Sequence, residues 1–240
     1  MSHILSKSKY IRGLQCDRAL WLDVFNPRLA RYTAEQMRRF DRGREFEYAF
    51  KATFPDGIDI SLELKRNVDA YPELTSQLLD SPDLPPFTSH LWLHKVADHS
   101  SPLTLFEAGF LYDDVLVLAD VVHRNADGSL DIYEVKSGSA LSETYKRDAA
   151  LQHYVISHCR SINKFCIVYN GVDEVNGFIV VDLTEELATQ HDEIASNIAA
   201  MKEILSHGEP ATPTGQHCLE PYACPYQHYC VQGVRQLALF

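Results

Sequence analysis

The stretch from residue 103 to residue 137 constrains the fold most. It holds three apolar runs, LTLFEAGFLY (103–112), VLVLADVVHR (115–124) and LDIYEVKS (130–137), separated by Asp113-Asp114 and by Asn125-Ala-Asp-Gly128. Runs of this length, bounded by turn formers, predict strands, and a two-residue gap suits a tight hairpin. Three consecutive strands make a meander. Downstream, Ser142 to about His158 reads as a helix with Ser142 as its N-cap. KFCIVYN (164–170) and GFIVVDL (177–183) read as strands, and Thr184 to Leu205 as a further helix. Upstream, Met37, Phe40, Phe46 and Phe50 recur at helical intervals from Tyr32 to Phe54, and Pro55-Asp56-Gly57 ends the pattern. The order predicts an α/β (α+β) fold in which a central mixed sheet is flanked by helices.

At 240 residues the chain can bury one substantial core. The expected division is 1–57 as an N-terminal basic helical segment, 58–207 as the core and 208–240 as a cysteine tail. Two proline-marked stretches, Ser81 to Pro102 and Gly208 to Gln216, read as loop and linker. The first residues carry no apolar run of signal-peptide type, and no window approaches the ~20 apolar residues that span a bilayer. The expectation is a soluble, cytoplasmic protein with no membrane partner. In that setting six cysteines, at 16, 159, 166, 218, 224 and 230, point to metal binding rather than to disulfides. The net charge of −11 argues against a general polyanion binder, yet residues 1–66 carry 13 Lys and Arg against 9 Asp and Glu. Any nucleic-acid contact should lean on that quarter, through Arg28, Arg31, Arg38, Arg39, Arg42 and Arg44.

The chemistry-bearing residues lie in the meander. Glu134 and Lys136 are two apart on one strand and therefore share a face, while Asp120 ends the apolar run of the strand before. A hairpin brings Asp120 beside Glu134. Charges at the edge of an apolar sheet are expensive unless they pair or hold a cation, and oxygen ligands suit Mg²⁺ or Mn²⁺. The alternative is an ordinary surface ion pair between Glu134 and Lys136.

The pattern Asp120-x13-Glu134-x-Lys136 resembles the signature of the PD-(D/E)XK nuclease superfamily, and Glu134-Val-Lys-Ser-Gly138 is close to its RecB-like branch. Gly43-Arg-Glu-Phe-Glu47 matches the helix on which that branch carries a further metal ligand, with Glu47 in the ligand position and Glu45 as a nearby competitor. Tyr145, Asp148, Ala149 and Gln152 share one helical face, and Gln152 resembles the branch's extra glutamine. The tyrosine often found four residues beyond it is Ile156 here, with Tyr154 nearby. The resemblance implies a restriction-endonuclease-like core in which Asp120, Glu134, Glu47 and the carbonyl of Val135 hold Mg²⁺ or Mn²⁺. Lys136 would orient water or stabilise developing charge, and Gln152 would position substrate or water.

The tail CLEPYACPYQHYC places Cys218, Cys224 and Cys230 five residues apart, which leaves a four-coordinate site one ligand short. Those gaps fit poorly with the x2–4 spacing of zinc pairs, whereas iron–sulfur clusters tolerate wider spacing. The segment LSKSKYIRGLQCDRALWL (5–22) resembles the N-terminus of the iron–sulfur members of the same branch, among them the CRISPR-associated protein four exonucleases and AddB-type nuclease domains. That resemblance implies a [4Fe–4S] cluster on Cys16, Cys218, Cys224 and Cys230, clasping the two chain ends; many relatives space two of the three tail cysteines more closely. Cys159 and Cys166 read as buried thiols, and His217 and His228 as neighbours of the tail site. The implied function is a metal-dependent DNA nuclease, with exonuclease action on single-stranded DNA favoured, in repair and recombination, CRISPR adaptation or phage defence, with protein partners of a DNA-processing complex. Two alternatives stay open, an iron–sulfur DNA-binding or complex subunit with little nuclease activity and a zinc-stabilised binding protein.

Overall fold

The computed structural model describes residues 3–64, 67–80, 103–171 and 177–237. In chain order its elements begin with β1 (Leu5–Ser6), α1 (Lys7–Gln15), α2 (Asp17–Phe25), α3 (Ala34–Lys51), β2 (Ile58–Asp59), α4 (Ile60–Leu64) and α5 (Tyr71–Asp80). The meander follows as β3 (Leu103–Tyr112), β4 (Val115–Arg124) and β5 (Leu130–Lys136). Then come α6 (Glu143–Cys159), β6 (Ile162–Asn170), β7 (Phe178–Asp182), α7 (Thr184–Ala188), α8 (His191–Ser206) and α9 (Gln227–Leu237). The chain forms two compact units, Asp41–His191 and Met1–Phe40 with Asp192–Phe240. The loop expected from Ser81 to Pro102 lies outside the described residues.

In Asp41–His191 the strands run in the order β2-β3-β4-β5-β6-β7. β3, β4 and β5 are the antiparallel meander, α6 carries the chain to a parallel β6, and β7 returns antiparallel. A parallel β2 on the far side of β3 completes a mixed sheet. The first hairpin closes through Asp113 and Asp114, with φ of 49° and 57°, so Tyr112 pairs directly with Val115. Positive φ at both central residues is the two-residue turn that follows the twist of its strands. On one face, Phe50 of α3 packs with Phe106, Val121, Val135 and Val168, and Phe46, Phe54 and Phe178 close around them. Burial of each such side chain contributes roughly 1.5–3 kcal/mol, and here it pins the C-terminal half of α3 to the sheet.

Ser142 caps α6 as expected, its Oγ accepting the Tyr145 N–H at 3.2 Å. Two elements depart from expectation. The single helix expected over Thr184 to Leu205 is broken into α7 and α8. At the break Thr189 Oγ1 donates to the Glu186 carbonyl and the Gln190 N–H reaches back only to Leu187, a tightened final turn that stops the helix. Residues 58–80, to which the apolar pattern assigns no element, contain β2, α4 and α5. α5 lies so close on β3 that a Cβ at Gly109 would sit 2.5 Å from Tyr71 Cβ. The Gly109 N–H donates to Thr75 Oγ1 at 2.8 Å in that contact.

The unit of the two chain ends is knit by side chains that flank Cys16. Gln15 Nε2 donates to the carbonyls of His217, Glu220 and Tyr222 at 2.6, 3.1 and 2.7 Å. Arg18 pairs with Glu209 at 2.6 Å and lies over the ring of Tyr229. Tyr226 donates to Asp23, and the Trp21 indole to the His207 carbonyl. Among the described residues no helix is long and apolar enough to cross a membrane.

Candidate functional site

The β4–β5 ladder pairs Val121 with Tyr133 and goes no further toward Asp120. There Asp120 Oδ2 accepts the N–H of Val135 at 2.7 Å, so a carboxylate takes the place of a backbone acceptor. Asp120 and Glu134 are both buried, with 8% and 1% of their surface exposed. Val135 turns into the core beneath α3, and Glu134 and Lys136, alternating with it, take the other face. Lys136 Nζ donates to Glu134 Oε1 at 2.6 Å and to Asp148 Oδ2 of α6. A solvent-exposed Glu-x-Lys pair is therefore not what this strand carries.

Glu107 is the functional candidate that sequence reasoning missed. It lies opposite Asp120, where the β3–β4 ladder skips from Phe106 to Ala108, and its φ is 56°. A left-handed glutamate inside a strand costs of order 1–2 kcal/mol. The twist breaks the alternation that would direct Glu107 away from α3, and its carboxylate accepts from Lys51 Nζ at 2.6 Å. Lys51 also pairs with Glu47 one helical turn back, at 2.5 Å. Carboxylate oxygens of Glu47, Glu107 and Asp120 lie within 4.8 Å of one another. Of the two helix glutamates, Glu47 belongs to this group and Glu45 is exposed. The signal for Glu107 was in the sequence, as the one charged residue within an apolar run.

Burial lowers the affinity of Lys51 for its proton, but Glu107 and Glu47 outweigh it and hold the ammonium above its ordinary value. Burial likewise opposes the charge of Lys136, and Asp148, Glu134 and then Asp120 raise it well above the usual lysine range. Glu107 is pushed up by burial and by Glu47, against the pull of Lys51. Five carboxylates thus meet two ammonium groups, and the surplus negative charge, all on hard oxygen donors, fits a divalent cation held by Glu47, Asp120 and its neighbours.

Gln152 is fully buried on α6, one turn beyond Asp148. Both atoms of its amide and Asp148 Oδ1 have no hydrogen-bond partner among the described residues. Buried polar atoms are nearly always paired, with protein, ordered water or a bound group. Tyr154 packs instead with Tyr112, His158 and His191. His153 is buried and shares a 2.8 Å hydrogen bond with His191; burial and that neighbour depress it to about 4, while His158 is exposed.

The second candidate centre belongs to the chain ends. Cys16 precedes α2, and Cys16 and Cys224 pack against Ala19, Leu22 and Tyr226. Burial pushes the thiols of Cys16, Cys224 and Cys230 up, and each is raised further by Cys218. Cys16 acts on Cys224 and Cys230 in the same sense, but among the described residues the ligand atoms gathered within 4.8 Å are those of Glu47, Glu107 and Asp120, and the four sulfurs are not drawn together at ligating distance. For Cys16 the N–H groups of Ala19 and Arg18 act in the opposite sense. Thiol donors of this kind suit a thiophilic cation or cluster by type, and Cys16, Cys224 and Cys230 are disfavoured as thiolates by burial. Cys166 is buried in β6 and pushed up to about 11 by burial; Cys159 is half-buried and donates to the Leu111 carbonyl.

No protein-family model matches the chain, and no curated protein does. Among solved structures, the crystal structure of SSO0001 is similar over 94% of this chain and 84% of its own, at 13% identity and a TM-score of 0.47. At that distance the neighbour identifies neither a family nor a function.

Proposed function

We propose that the chain is a divalent-metal-dependent deoxyribonuclease with a RecB-like PD-(D/E)XK core, acting on single-stranded DNA from an end, whose chain ends hold a [4Fe–4S] cluster on Cys16, Cys218, Cys224 and Cys230. The observation that carries the reading is that Glu47, from a distant helix, meets Asp120 and Glu107 within 4.8 Å, while Asp120 is bonded to the strand on which buried Glu134 holds Lys136. Glu47, Asp120, Glu134 and the Val135 carbonyl would hold Mg²⁺ or Mn²⁺, with Glu107 beside them. A bound divalent cation supplies Lewis-acid charge and a more acidic water at neutral pH. The chain's own residues supply the rest. Asp120 fixes the backbone at Val135, Lys136 holds a permanent positive charge where a phosphate gains negative charge, and Gln152 offers a donor and an acceptor to substrate or water. Exposed Arg28, Arg31, Arg38, Arg42 and Arg44 suit the DNA backbone. The cluster would add a covalent tie to ends already held by Gln15, Arg18 and Tyr226.

One observation favours the binding-subunit reading, the ion pairs by which Lys51 already occupies Glu47 and Glu107. Anaerobically purified protein should degrade end-labelled single-stranded DNA with Mn²⁺ and not with EDTA, and Asp120→Asn should abolish this while keeping its iron. Wild-type protein that carries iron and leaves every DNA intact would replace the nuclease reading with the binding subunit.

A further inference from the structure

We propose that Asp148, which no motif above assigns to the reaction, is the positioning residue for Lys136; the inference rests on the nuclease reading. An ammonium on four flexible methylenes has no fixed place unless it is held from more than one side. Glu134, two residues away on the same strand, holds Lys136 from the sheet at 2.6 Å. The second hold must come from another element, and Asp148 of α6 provides it through Oδ2. The pair is shielded, with 19% of the lysine side chain and 13% of the Asp148 side chain exposed, so it is not the weak surface kind.

Two features separate this aspartate from a structural ion pair. A structural carboxylate in a buried setting has both oxygens satisfied, whereas Asp148 Oδ1 has no partner among the described residues. Both amide atoms of Gln152, at i+4 on the same face, share that condition. Asp148 therefore joins the lysine to a row of buried polar atoms on α6. By taking Nζ toward α6 it also keeps the ammonium from settling on Asp120 and competing with a cation there.

The test uses full-length, cluster-loaded protein. Asp148→Asn, nearly isosteric, should lower kcat by roughly 10- to 100-fold, the usual effect of losing a partner that orients a site group, with KM for single-stranded DNA little changed. Asp148→Glu should restore part of that loss. Independently of activity, protein labelled with ¹⁵N-lysine should show a resolved ammonium signal for Lys136, slow in hydrogen exchange, that disappears in Asp148→Asn. An unchanged kcat in Asp148→Asn, or an ammonium signal unchanged in that variant, overturns the proposal. If wild-type protein cuts no DNA, the nuclease reading fails on its own, and the ammonium signal still decides whether Asp148 positions the lysine.

Discussion

The carboxylate site and the cysteine site solve the same problem, the burial of charge, in opposite ways. Around Glu47, Glu107, Asp120 and Glu134 the chain supplies its own cations, Lys51 and Lys136, and the Val135 N–H satisfies Asp120. Around the cysteines Arg12 and Arg18 pull toward the thiolate at Cys224 and Cys230, but burial outweighs them and the thiols of Cys16, Cys224 and Cys230 stay disfavoured as anions. A site with internal counter-ions keeps its shape whether or not a cation is bound. A site of buried thiols depends on whatever it ligates. Loss of metal should therefore silence the first and destabilise the second.

The sharpest way to break that contrast is Cys16→Ala. Closing a loop of some two hundred residues costs little more than closing a moderate one, because the cost rises only logarithmically, so distance in sequence is no bar to a fourth ligand. Purified without oxygen, Cys16→Ala should lose its iron and visible absorbance and unfold several kcal/mol more easily, since binding energy at such a site is folding energy. Cys159→Ala and Cys166→Ala should keep full iron. Chelation of divalent cations from wild-type protein should leave its melting curve nearly unmoved. Iron retained in Cys16→Ala transfers the fourth position to another residue, His217 first, whose Nε2 is buried without a partner among the described residues.

Lys136→Ala tests the opposite half of the comparison. The substitution leaves Glu134 and Asp148 buried without their shared cation, and a broken buried pair costs about 3–5 kcal/mol. DNA cleavage should vanish and urea unfolding should shift by that amount while the iron content stays whole. A stable, inactive variant would mean that the ion pairs contribute little to the fold and that the site's internal neutralisation has been overstated.

How much of each site was legible depends on what fixes it. Asp120, Glu134 and Lys136 could be read because a period of two and one hairpin fix their relation locally. Glu107 could not be read in the same way, because its place follows from a left-handed φ that no pattern of apolar residues encodes. Lys51 escaped notice because its role needs α3 docked by Phe46 and Phe50, a tertiary event. The cysteines showed the converse. Their spacing suggests a shared site, while the neighbours that bring the chain ends together, Gln15 and Arg18, look like any polar helix residues. α5 was legible in principle, since Tyr71, Leu74, Thr75, Leu78 and Leu79 are buried at helical spacing, but its signal is short and stands beside a proline.

Glu107→Gln refines the contrast at smaller scale. It keeps a hydrogen-bonding partner for Lys51 and removes one charge from the trio. Mn²⁺ affinity, read by calorimetry, should fall roughly 10- to 100-fold, the range seen when groups around a metal are altered. Stability should change by less than about 1 kcal/mol, because Glu107 is itself disfavoured as an anion by burial and by Glu47. Undiminished Mn²⁺ binding would leave Glu107 a structural partner of Lys51 alone.

The smallest effect concerns the turn that sets the register of the carboxylate site. Glu107 and Asp120 face one another because Asp113 and Asp114 close the hairpin in two residues, both at positive φ. Aspartate tolerates that conformation, but Asn-Gly fits it better, glycine having no Cβ to strain. Two adjacent carboxylates at the tip also repel one another, and the replacement removes both. Asp113→Asn with Asp114→Gly should therefore raise stability by about 0.5–1 kcal/mol, or a few degrees in Tm, with cleavage and iron unchanged. Lengthening the same turn by one residue, with no substitution at either site, should lower stability and abolish cleavage where it slips the register: a one-residue slip sends alternate side chains to the opposite face, and Asp120 would leave Val135 and Glu47 together. If the lengthened hairpin still cleaved DNA at the wild-type rate, the register of β3 on β4 would not be what assembles the carboxylates, and the local half of the comparison would be lost.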